Sequence, residues 1–162
     1  HGLHAMLEAL AGITVDPKII QSIHVKTHPR WLSVCNIKSP RTGLECKFSY
    51  AQTAAMALSG INTGDIKQFS DENAKDQSLM DLAAKVIITA DEQLSEMQSH
   101  VTIQAGGIEH VASHDLAAPM ALNTRIDKLM KKAAGLVGTD KAKALWTACN
   151  SEDLHDFTIL LK

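Results

Sequence analysis

Aromatic residues are scarce. Three Phe, two Trp and one Tyr make up 4% of 162 residues, too few for the stacking platforms that grip single-stranded nucleic acid. Charge of one sign is lacking too: sixteen Lys and Arg against eighteen Asp and Glu leave a net charge of −2 with His neutral, without the basic bias of a nucleic-acid module. No apolar run reaches the roughly 18 residues of a membrane helix, and residues 1–8 show no charged segment followed by an apolar core, so no signal peptide is expected. Cysteine is limited to Cys35, Cys46 and Cys149. An odd number with no CxxC pair reads as free thiols in a reducing compartment, the cytoplasm. What remains is ordinary globular composition, 45% hydrophobic and 21% charged, which excludes disorder and fibrous architecture. One domain over 1–162 is expected. A chain of this length buries roughly 70% of its unfolded surface, so neither disulfide nor metal is needed to hold it. The start at His1 rather than Met suits a piece of a longer chain.

Hydrophobic periodicity gives the elements. Leu3, Met6, Leu7 and Leu10 fall at i, i+3, i+4, i+7 and predict a helix that Gly12 ends. Asp16-Pro17 predicts a capped helical turn, and Ile23 to Thr27 alternates as a strand with one buried face. His28-Pro29 stops that strand, Trp31 to Val34 is ambiguous, and residues 38–43 are a loop by their Pro and Gly. Ser49 to Leu58 is small and helix-compatible, so it is expected at the centre of the fold. A short turn near Phe69 follows, then a helical stripe of Leu79, Leu82, Ala83 and Val86 running into β-branched Val86-Ile87-Ile88-Thr89, a candidate strand. The alternating runs 101–104 and 108–111 flank Gly106-Gly107 and predict a hairpin. Asn123 to Ala134 reads as an amphipathic helix with Ile126, Leu129 and Met130 on one side, followed by a helix capped by Thr139 or Asp140 and a last one with Leu154, Phe157, Leu160 and Leu161 as its apolar face. The expected fold class is α+β, a small antiparallel sheet packed against several helices.

Several residues are candidates for chemistry. Eight histidines are available for proton transfer. His24, His100, His110 and His114 lie in or beside strands and read as ordinary. A zinc site from His110 and His114 is the weakest reading, since i, i+4 spacing serves a helix rather than a strand. His4 differs because it opens a helix beside the apolar stripe. The loop Ser39-Pro40-Arg41-Thr42-Gly43-Leu44-Glu45-Cys46-Lys47-Phe48-Ser49 puts Arg41 and Lys47 around a glycine, with Ser49 placed to cap the next helix. Two cations near a helix N-terminus suit a carboxylate, against the bland reading of solvated loop charges. Lys47 beside Cys46 is placed to lower that thiol's pKa, although no histidine partner is evident. Lys128, Lys131 and Lys132 read as a solvated helix face.

That loop resembles the PRTGLEGKFS signature of the MmgE/PrpD family, which includes 2-methylcitrate dehydratase, cis-aconitate decarboxylase and iminodisuccinate epimerase. His4 to Ala9 is similar to the family's TH-AIDA segment, Ile23 to His28 to its V-V-TH strand, and Leu82 to Val86 with Asp91 to its L-KV---D element. Pro119-Met120 with Lys128-Leu129 is similar to the late P-S----KF element. The resemblance implies the smaller α+β, C-terminal domain of a lyase or isomerase whose large helical domain is absent from this sequence. It implies a small polycarboxylate substrate and proton abstraction or delivery next to a carboxylate at a site between the domains. It also implies no metal or other cofactor, a homodimer, and no nucleic-acid or membrane partner. Residue by residue, His4 matches the catalytic histidine, and Arg41 and Lys47 match the basic positions that face substrate carboxylates. Gln52 falls about where dehydratase and decarboxylase members carry a tyrosine. The isolated domain is expected to be inactive. The rival expectation is a non-catalytic interaction or dimerisation module.

Overall fold

A computed structural model gives the fold, and the structure describes residues 2–150. The expected final helix from Ser151 onward lies outside the described residues. Among the described residues two compact units are present, one of residues 2–63 and 67–118, the other of 64–66 and 119–150.

The first unit is built on four strands: β1 (Ile20–Thr27), β2 (Val86–Ala90), β3 (Gln98–Ala105) and β4 (Ile108–Asp115), in the order β2-β1-β3-β4. β3 pairs antiparallel with both β1 and β4. The sheet is nevertheless mixed, because β2 runs parallel to β1 with Ile23 opposite Val86 and Val25 opposite Ile88. This corrects the antiparallel expectation. Alternation predicts a strand but carries no direction, and a parallel neighbour requires a long crossover, here residues 28–85. The hairpin forms where Gly106 and Gly107 adopt φ of 57° and 79°, the paired left-handed conformation of a two-residue turn that matches strand twist.

Helices cover one face of the sheet. α1 (His4–Leu10) packs on β3 and β4, and α4 (Tyr50–Leu58) packs on α1, on β2 and on α6 (Gln77–Ala83). The core joins Met6, Ala9 and Leu10 to Ile20, Ile23 and Val25 of β1, Val101 and Ile103 of β3, and Tyr50, Ala54 and Ala55 of α4. Each buried aliphatic side chain there contributes about 1.5–3 kcal/mol. Ala54 and Ala55, both fully buried, let α4 sit close in, as its small residues predict. The opposite sheet face, with His24, Lys26, Ile87, His100 and Val111, is exposed.

Short helices α2 (Pro29–Val34), α3 (Gly43–Cys46) and α5 (Asp71–Lys75) complete this unit. The ambiguous stretch 31–34 is thus helical, with Pro29 in its first turn and the His28 imidazole accepting from the Arg30 N–H at 3.2 Å. Arg30 pairs with both oxygens of Glu96 at 2.9 Å, and the Trp31 indole donates to the Glu96 carbonyl, tying α2 to the loop before β3.

In the second unit α7 (Leu122–Val137) packs on α8 (Thr139–Cys149). Ile126 and Met130 are half-buried while Leu129 is exposed. The cap of α8 is Gly138 at φ +88°, not a Thr or Asp side chain, because the sharp turn between the helices needs the left-handed region that glycine reaches.

Candidate functional site

A cleft of about 420 Å³ opens in the first unit, lined by Lys38, Ser39, Pro40 and Arg41 of the loop after α2, Gln52 of α4, Met80 and Ala83 of α6, and Ala84. That volume is in the range of small-molecule sites. Its lining contains two cations and no carboxylate. Among the described residues neither the Arg41 guanidinium nor the Lys38 ammonium has an ion-pair or hydrogen-bond partner.

The loop is held from behind. The Arg41 N–H donates to Glu45 Oε2 at 2.5 Å, and the Thr42 hydroxyl accepts from the Glu45 N–H, capping α3. The Gly43 N–H donates to Asp71 Oδ1 at 2.8 Å. Gly43 has no room for a side chain, since a Cβ there would lie 1.9 Å from the Phe69 carbonyl oxygen. The loop's backbone is therefore fixed by α5 while the Arg41 side chain stays exposed to solvent.

Ser49 caps α4 as expected, accepting from the Gln52 N–H. The Tyr50 N–H is taken by the Cys35 carbonyl at 3.0 Å. These donors are thus spent inside the fold, and the positive charge at the cleft comes from the cations rather than from the helix terminus.

Lys47 stands apart from that cleft. It ends α3, and its ammonium lies 5.7 Å from the centre of the Phe69 ring, a cation–π geometry. His4 is the exposed first residue of α1. The segment before it is anchored by Tyr50, whose hydroxyl donates to the Gly2 carbonyl at 2.6 Å and shares a hydrogen bond with Thr27 Oγ1 at 3.0 Å. Residues 50 and 52 point roughly 200° apart around a helix of 3.6 residues per turn. α4 therefore meets the His4 segment with one side and the cleft with another. The structure brings Arg41, Lys38 and Gln52 to the cleft, and neither His4 nor Lys47 is among its lining residues.

Lys38 was not legible as a site residue, and Gln52 was marked only by the resemblance, as the position where family members carry a tyrosine. Their meeting with Arg41 depends on α6 lying beside α4, which no local pattern announces. Cys46 corrects another expectation. It is fully buried, and burial, followed by the Glu45 and Asp71 carboxylates, pushes its thiol above the ordinary value rather than below it. The neighbouring ammonium points to Phe69 instead. His110 and His114 sit on β4, and among the described residues no three His, Cys, Asp or Glu side chains gather as a metal site would require.

The family model of the MmgE/PrpD C-terminal domain matches residues 1–153. The chain belongs to the MmgE/PrpD family. No curated protein matches the sequence. The match spans the signature loop and both units' described elements, so the cleft is a feature of an MmgE/PrpD C-terminal domain, and Arg41 and Lys38 flank the Ser39-Pro40 step that opens its signature loop.

Proposed function

We propose that this domain belongs to a lyase or isomerase that acts on a small polycarboxylate by moving a proton next to a carboxylate. The observation that carries the reading is the cleft with two cations that have no partner among the described residues and no acid among its lining residues, in a chain of this family. Removing a proton beside a carboxylate builds enolate-like negative charge, and preorganised cations lower the cost of that charge. In this reading Arg41 clamps a substrate carboxylate with Lys38 beside it, Lys47 stays on the Phe69 ring outside the cleft, and His4 transfers the proton. The helical domain of the same polypeptide closes the site and supplies the remaining acid–base groups, in a cytoplasmic homodimer that needs no metal.

Calorimetric titration with citrate tests the clamp. The chain should bind it, and Arg41→Met should weaken binding by about tenfold or more, the loss of one charge-assisted hydrogen-bonding partner. Unchanged affinity in that variant ends the reading. The domain alone should not turn over 2-methylcitrate or cis-aconitate, and turnover by it would remove the need for a second domain.

One observation favours a second reading, an interaction or dimerisation module. Leu122, Leu129 and Leu136 are all exposed on α7, at 68%, 53% and 56%, and their seven-residue spacing lines them up as a coiled-coil seam does. A monomer in sedimentation equilibrium would remove it.

A further inference from the structure

Gln52 is 2% exposed and lines the cleft. Its amide nitrogen donates to the Asn73 carbonyl at 2.9 Å, which fixes the orientation of the amide. Its amide oxygen then has no partner among the described residues. Among the described residues no side-chain oxygen or nitrogen sealed from solvent lacks a partner, so this oxygen is not sealed, and the cleft is where Gln52 meets open space. A buried side chain thus presents one unused acceptor beside two cations that want an anion. The acceptor repels a carboxylate and attracts an O–H or N–H.

We infer that Gln52 is a specificity-determining residue: it accepts a hydrogen bond from a hydroxyl or amino group on a ligand whose carboxylate Arg41 holds. The inference rests on the proposed polycarboxylate function and narrows the ligand class to hydroxy- or amino-polycarboxylates. A ligand with the carboxylates but no donor leaves the Gln52 oxygen desolvated and unpaired, and a site built to hydrogen-bond a group rejects the analogue lacking it.

Malate and succinate differ by one hydroxyl and serve as probes in calorimetric titrations of the whole chain. Wild type should bind malate at least about tenfold more tightly than succinate. Gln52→Met, similar in shape but with no acceptor, should bring the two within about twofold, because malate loses its partner and succinate no longer leaves an oxygen unpaired. If Gln52→Met does not fold, Gln52→Asn, which withdraws the amide by one methylene, should shrink the same ratio. Equal affinities in wild type, or a ratio that survives both substitutions, overturn the inference. Arg41→Met separates the two claims. If it abolishes binding of both ligands while wild type binds them equally, only the role of Gln52 falls. If neither ligand binds wild type, or Arg41→Met changes nothing, the polycarboxylate reading falls and takes the inference with it.

Discussion

Tyr50 is the single tyrosine, and it joins three separate parts of the chain. Its buried hydroxyl bonds Gly2 before α1 and Thr27 at the end of β1. Tyr50→Phe keeps the ring and leaves the Gly2 carbonyl and the Thr27 hydroxyl short of a partner, a loss of about 1–3 kcal/mol that urea denaturation would measure. The same residue gives an alkaline signature. Burial pushes its pKa up to about 12 from an ordinary value near 10, against a lowering influence from the Thr27 hydrogen bond. The folded state therefore keeps the phenol proton where the unfolded chain has lost it. Stability should be full below about pH 10 and fall as pH rises towards 12, by about 3 kcal/mol in total at roughly 1.4 kcal/mol per unit. The buried Cys35 and Cys46 thiols, raised by desolvation, act in the same direction. The contribution of Tyr50 is thus the difference in slope between wild type and Tyr50→Phe, and equal slopes between pH 10 and 12 would refute the assignment.

Among the elements, α3 is only four residues long, yet it sets where Arg41 stands. Its first residue, Gly43, has no space for a Cβ against the Phe69 carbonyl and gives its N–H to Asp71. Gly43→Ala must push α3 away from the start of α5, backbone against backbone. A destabilisation of about 1–3 kcal/mol follows from overpacking, readable as a lower denaturation midpoint. Citrate binding should weaken with it, because Arg41 lies two residues away. An unaltered midpoint would show that α3 is not braced there. Local elements of this kind were legible wherever the chain carries its own punctuation. Asp16-Pro17, Ser49 and Gly106-Gly107 each satisfy or bend the backbone within a few residues, and the turns and caps fall where they predict. The direction of β2 was not legible, because its partner is set by a crossover through five helices. The site was legible in part for the same reason. Arg41 sits in the cleft of its own loop, but Lys38 and Gln52 become its neighbours only when α6 closes the far wall.

At the scale of the whole molecule, a chain of net charge −2 concentrates two cations, unpartnered among the described residues, at one cleft without an acid in its lining. Mean charge would make the protein repel a polycarboxylate, whereas local charge attracts it, and ionic strength separates these opposing effects. Exposed charges are screened beyond about 30 Å at 0.01 M salt but beyond about 3 Å at 1 M. Attraction that comes from Arg41 and Lys38 should therefore weaken steeply with added salt. Net repulsion, once screened, would instead let binding strengthen. Citrate affinity measured across that range should fall, and Lys38→Met should flatten the fall by removing one of the two charges facing the ligand. Lys47→Met provides the contrast: its ammonium is engaged with the Phe69 ring and does not line the cleft, so the salt slope should keep its wild-type value. A slope that flattens in Lys47→Met but not in Lys38→Met would move the anion from the cleft to the far end of α3.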